Sequence, residues 1–142
     1  MSRTKTLFLD LDGVLHANFC AEREWFGLAP ELLDCIRGHD LQIVISSSWR
    51  FQVDLRDLLQ EFPRELAVLV VGTTGEAKEG EYARLQEIEE YVARHHIRDW
   101  RALDDASFEF PRDHPNLICC DGRCGIHAGD LRALEAWLSA KL

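Results

Sequence analysis

The sequence predicts an α/β fold: a three-layer, Rossmann-like parallel sheet with helices on both faces. Two observations predict it. Short apolar runs alternate along the chain with segments whose apolar residues recur at helical spacing. Three of the apolar runs end directly in an acid or a hydroxyl. The alternation argues for parallel strands buried on both faces. The strand-end polar residues matter because ligands of such sheets bind at the carboxyl ends of the strands.

Thr6 to Leu9 is the first strand and leads into Asp10. Leu32, Leu33 and Ile36 share a helical face, and Gly38 follows as a C-terminal cap. Leu41 to Ile45 is β-branched and apolar, a buried strand, with Ser46 directly after it. Leu55, Leu58, Leu59 and Phe62 repeat at helical spacing until Pro63 stops the run. Ala67 to Val71 reads as another buried strand, closed by Gly72. Leu85, Ile88 and Val92 mark a helix from about Glu81 to His95. Trp100 to Leu103 is a strand ending in Asp104-Asp105, Leu117 to Cys120 is a fifth strand, and Leu131, Leu134 and Leu138 mark the last helix.

The chain has 142 residues, 46% of them hydrophobic and 29% charged, which fits one domain over residues 1–142 with a core that needs no disulfide. No apolar run approaches the roughly 20 residues of a membrane span. Met1 to Thr6 lacks a signal-peptide cleavage pattern, so cytoplasmic residence is the expectation. Five cysteines without regular spacing point to reduced thiols. The formal net charge of -9 argues against an extended nucleic-acid groove, which needs many lysine and arginine contacts to phosphate, but it leaves a nucleic-acid end open as a substrate.

Three strand ends carry the chemistry. In Leu9-Asp10-Leu11-Asp12-Gly13-Val14-Leu15, two carboxylates two residues apart can face one site, one attacking an electrophile while the other handles a proton. In Ile45-Ser46-Ser47-Ser48-Trp49-Arg50, a hydroxyl can bond a phosphoryl oxygen and the following helix start offers N–H groups to an anion. The serines also suit helix capping. Arg50 is either a phosphate clamp or a surface charge. Adjacent acids at Asp104-Asp105 need a neutralising partner, and Mg²⁺ prefers a few carboxylates together with waters and phosphate oxygens.

These motifs together resemble the haloacid dehalogenase (HAD) superfamily, over Leu7 to about Leu138. The resemblance implies that Asp10 is a nucleophile and Asp12 a general acid/base. It implies that Ser46 binds phosphate, with Ser47 second. It further implies Mg²⁺ held by Asp10, by the backbone carbonyl of Asp12, and by Asp105 with Asp104 assisting. The family usually places a lysine near the start of the helix before the Asp-Asp strand. Here Arg84 takes that position, and Lys78, six residues earlier, is the alternative. The run Ser46-Ser47-Ser48-Trp49-Arg50 and the Arg84 helix start are similar to HAD domains associated with Swiss Army Knife RNA repair proteins.

The stretches from Gly13 to Ile45 and from Ser46 to Arg84 leave no room for a full cap domain, so an open HAD-like site is expected. The loops Ala17 to Ala29 and Thr73 to Glu81 would line its entrance. The implied activity is Mg²⁺-dependent phosphomonoester hydrolysis on a phosphorylated small molecule, a nucleotide or a nucleic-acid end. A non-catalytic phosphate-binding module and a phosphotransferase are the rivals. Zinc at Cys119, Cys120, Cys124 and His127 is not expected, because adjacent strand residues point to opposite faces. Trp25, Trp49, Trp100 and Trp137 are assigned to core packing, His95-His96 to a helix end, and Gly72-Thr73-Thr74-Gly75 to a flexible loop.

Overall fold

The computed structural model describes residues 4–140. Five strands form one sheet: β1 (Lys5–Leu9), β2 (Leu41–Ile45), β3 (Val70–Thr73), β4 (Trp100–Asp104) and β5 (Leu117–Cys119). Their spatial order is β3-β2-β1-β4-β5, and every pairing is parallel. The chain moves outward from β1 through β2 to β3, then returns to the other side of β1 with β4. The order therefore reverses between β1 and β4, where open α/β sheets bind ligands. Leu9 pairs with Ile45 on one side and Leu103 on the other, which brings the ends of three strands level.

Strand alternation divides the core into two layers. Leu7, Leu9, Ile43, Ile45 and Leu103 pack on one face with α1 (Ala29–Ile36), α2 (Leu55–Leu59), α3 (Arg64–Ala67) and α5 (Ala128–Ser139). Phe8, Val44 and Ala102 face the other side, against Leu85 and Ile88 of α4 (Ala83–Arg94) and Phe110. Phe8 meets Tyr91 and Trp100 edge-on, at 5.7 and 5.5 Å between ring centres. Lys5 is buried at the start of β1, and its ammonium donates to the carbonyls of Trp137 (2.5 Å) and Ala140 (2.7 Å). It thereby adds a charged donor to carbonyls at the end of α5, the terminus where a cation is favoured.

Two expectations need correction. Helix α2 ends at Leu59, and Pro63 does not merely stop a helix: it begins α3, its carbonyl accepting from the N–H groups of Leu66 and Ala67. Pro63 is the N-cap of α3, its extended ψ of 139° placing it just outside the helical residues that start at Arg64. The apolar run around Ala67 is thus shared between α3 and a strand that begins at Val70, not Ala67. That strand is an edge strand, half-exposed with Val71 at 54%, and Gly72-Thr73 belong to it, not to a flexible loop. No cap domain is inserted among the described residues. The long β1–α1 connection carries only one helical turn, Glu22–Glu24.

Candidate active site

The sheet ladder continues one residue past each strand and lines up the polar residues. Asp10 N–H donates to Leu103, Ser46 N–H to Leu9 and Thr74 N–H to Ile45, each at 3.0 Å. Asp10, Ser46, Thr74 and Asp104 therefore sit side by side on the carboxyl edge, and all four are buried. One oxygen each of Asp10, Asp104 and Asp105 lies within 4.8 Å of the other two. The Asp12 carboxylate is not part of this group.

Arg84 enters from the first turn of α4. Its Nη1 is 2.5 Å from Asp104 Oδ2 and 3.6 Å from Asp10 Oδ1. Lys78 pairs instead with Glu90. Burial opposes the charge on Arg84, but Asp104 and Asp10 outweigh it and hold its pKa above the ordinary value. One guanidinium does not balance three acids. Burial, reinforced by the neighbouring Asp104 charge, pushes Asp10 well above the ordinary carboxylate range despite Arg84. Asp104 is raised chiefly by burial, and Arg84 opposes that shift. Hard oxygen donors short of positive charge fit Mg²⁺.

The supporting contacts give each acid a fixed position. Asn18 donates to Asp105 Oδ2 at 2.7 Å. Gly13, at φ +78, and Gly122 press so closely on the Asp105 carboxylate that a side chain at either would overlap it. Gly13 is thus required both for its left-handed backbone and for its lack of a Cβ. Asp104 Oδ1 accepts from Ala106 N–H at 2.9 Å. Asp12, half-exposed, is held by His16 Nε2 at 2.7 Å and by the indole N–H of Trp49 at 3.0 Å. His16 Nδ1 accepts from Phe26 N–H, which assigns the proton of the neutral ring to Nε2 and makes it the donor to Asp12.

The serines separate. Ser47 caps the following helical turn by accepting from Trp49 N–H. Ser46 Oγ is fully buried without a hydrogen-bond partner, and so is Thr74 Oγ1 beside it on the strand edge. Orphaned hydroxyls are costly unless a ligand engages them. Arg50 is not a surface charge: its guanidinium donates to Glu87 (2.7 Å) and to the carbonyls of Ser46, Ser47 and Gly75, which fixes the β2 and β3 ends to α4. Those donors are spent on the protein rather than available as a clamp.

A family model described as "HAD domain in Swiss Army Knife RNA repair proteins" matches residues 6–131. The chain belongs to this family. No curated protein and no solved structure gave a significant match. The match spans the sheet of this HAD domain from the second residue of β1 through β5, and each of Asp10, Asp12, Ser46, Arg84, Asp104 and Asp105.

Sequence reasoning missed His16, Asn18, Thr74 and the hydrogen bond from Trp49. Trp49 packs against the core as expected, and its indole N–H also turns to Asp12. Trp25 is 40% exposed rather than packed away. The fifth strand ends at Cys119 and not Cys120; Cys119 is exposed, Cys120 just past it is buried, and none of the five cysteines is in a disulfide. Among the described residues the carboxylate trio is the sole group of three or more His, Cys, Asp or Glu side chains with metal-binding spacing.

Proposed function

We propose that this HAD domain is a Mg²⁺-dependent phosphomonoesterase that works through an aspartyl-phosphate on Asp10. The observation that carries the reading is the alignment of three strand ends. Asp10, Asp104 and Asp105 converge within 4.8 Å, Arg84 lies against two of them, and the unpartnered Ser46 hydroxyl is level with Asp10.

An oxygen of Asp10 attacks phosphorus as the bond to the leaving oxygen breaks, and Asp12 gives that oxygen its proton. Asp12 then takes a proton from water as the water oxygen attacks phosphorus. Inorganic phosphate leaves, and the Asp10 carboxylate is regenerated. Ser46 and Thr74 hydroxyls donate to the phosphoryl oxygens, and Arg84 stabilises their charge through the transfer. Asp10, Asp104, Asp105 and the Asp12 carbonyl would hold Mg²⁺, which supplies charge neutralisation at the phosphoryl group. Asp12 suits the proton-transfer role because it is accessible to both leaving group and water while His16 and Trp49 fix its orientation.

The test is phosphate release from a panel of phosphomonoesters with Mg²⁺, with EDTA dialysis and metal add-back. Release is expected with Mg²⁺, lost after dialysis and restored by Mg²⁺. Activity that survives complete metal removal rules out the role given to Asp104 and Asp105.

Stability gives an independent check. In the metal-free protein, native Asp10 and Asp104 keep protons that the unfolded chain releases above its ordinary carboxylate value of 3.8. Folding stability contributed by these two groups is therefore present below that pH and falls as pH rises through the raised native values. Mg²⁺ is expected to raise the melting temperature by several degrees at pH 7, the scale of about 2.7 kcal/mol at a hundredfold excess over Kd. At pH 4 it is expected to do much less. Equal Mg²⁺ effects at both pH values, read by thermal denaturation, contradict the assignment.

A further inference from the structure

Beside Asp12 lies an open recess of about 460 Å³, lined in part by Asp12, Phe19, Trp25, Trp49 and Gln52. Resting on the phosphatase reading above, we propose that this recess is the leaving-group site and that it takes a nucleoside, the base stacking against Trp25 and Phe19.

Its position comes first. Asp12 lines the recess, whereas Asp10, Asp104 and Asp105 do not. It therefore opens on the side where the leaving oxygen receives its proton, away from the acids that surround the phosphoryl group. Its volume falls in the roughly 300–1,000 Å³ range of small-ligand pockets.

Its chemistry comes second. No lysine or arginine lines it, so it does not recruit a second phosphate. Phe19, Trp25 and Trp49 give it aromatic walls, set among smaller residues such as Ala17 and Val53, and it has one primary amide, Gln52, able both to donate and to accept along a base edge. Trp25 and Trp49 stand at 87° with centres 5.0 Å apart, which makes a corner for a flat ring. Trp49 is anchored by its hydrogen bond to Asp12 and by Phe26, 5.2 Å away. Trp25 remains 40% exposed.

Phe19 is the third observation. It is fully exposed with φ +60, a left-handed conformation that bulky residues rarely adopt. Phe26 shares that conformation but is repaid by core packing against His16, Trp49 and Phe62. Phe19 gains nothing comparable from the fold. A ring held out at the mouth of a recess suits a ligand with a π face.

The experiment compares kcat/KM, with Mg²⁺, for a nucleoside monophosphate, a short oligonucleotide with a terminal phosphate, glycerol phosphate and O-phosphotyrosine. Wild type is expected to prefer the nucleotide over glycerol phosphate and O-phosphotyrosine. The ratio of nucleotide to glycerol phosphate is expected to fall about tenfold in Trp25→Ala and several-fold in Phe19→Ala, mostly through KM, the scale of losing one base–aromatic stack. Trp25→Phe should keep most of the preference. Val68→Ala, exposed between α3 and β3, should keep the wild-type ratio. The mononucleotide and oligonucleotide arms identify whether the nucleoside is free or terminal.

Quenching of tryptophan fluorescence by the nucleoside monophosphate in Asp10→Asn protein reads binding without turnover. Quenching that depends on Trp25, together with no phosphate release from any ester by wild type, sinks the phosphatase and keeps the nucleoside site. Equal turnover of glycerol phosphate and nucleotide, unaltered by Trp25→Ala and Phe19→Ala, overturns the nucleoside site and keeps the phosphatase. A preference for O-phosphotyrosine also overturns it.

Discussion

Asp10→Asn is expected to lower kcat by on the order of five orders of magnitude or more, the scale seen when a covalent nucleophile is removed. A carboxamide cannot form the acyl-phosphate, and the other two acids are engaged elsewhere, Asp104 by Arg84 and the Ala106 N–H and Asp105 by Asn18. The same change is expected to raise the melting temperature of the metal-free protein. Burial and Asp104 already disfavour the negative charge of Asp10, so a neutral group of the same shape relieves the native state at pH 7. The stabilising effect of added Mg²⁺ should shrink in parallel. A phosphate-release assay and thermal denaturation with and without Mg²⁺ check both halves. Wild-type turnover in Asp10→Asn rules out the covalent mechanism. A drop in metal-free stability rules out the electrostatic account of the site.

Arg84→Ala is the complementary case, costing both rate and fold. Without the guanidinium, Asp104 and Asp10 are left buried with no cation beside them. Removing one partner of a buried ion pair costs about 3–5 kcal/mol. Loss of one preorganised charge stabiliser costs roughly two to three orders of magnitude in rate. Mg²⁺ should recover part of the stability and little of the rate, because a phosphoryl oxygen also loses its donor. Arg84→Lys should recover part of each: an ammonium restores the charge without the planar fork. Lys78→Ala should stay close to wild type, since that side chain pairs with Glu90 on the surface. An inactive Lys78→Ala beside an active Arg84→Ala would reverse the assignment.

The carboxyl-edge residues were legible in the sequence because each follows an apolar run directly. A strand's hydrogen-bond register carries the next residue to the same edge, as Asp10, Ser46 and Asp104 show. Arg84 was singled out through the family resemblance, at the start of an amphipathic helix where the family usually has a lysine. The partners of Asp12 were not. His16 lies four residues on in an irregular loop with no periodicity to read, and Trp49 has the composition of a core residue while its indole N–H serves a carboxylate. Thr74 stayed hidden because glycine and threonine between a short edge strand and a helix resemble a loop. The start of β3 slipped for a related reason. An unbroken apolar run has no period that separates the last turn of a helix from the first residues of a strand. Arg50 was ambiguous because only three-dimensional proximity reveals Glu87 as its partner.

The strand order has a consequence for how the molecule comes into being. The strand that leads into Asp10 takes its second neighbour, β4, from Trp100–Asp104, far along the sequence, and the helix end that Lys5 caps is later still. Pairing Leu9 with Ile45 closes a shorter chain loop than pairing Leu9 with Leu103, and the longer closure carries the larger entropy cost. Asp10 and Asp104 meet through that same pairing. The acidic centre therefore exists only with that long-range pairing, so the mutual repulsion of its carboxylates belongs to the assembled sheet, with Arg84 beside it, and to no single segment of the chain.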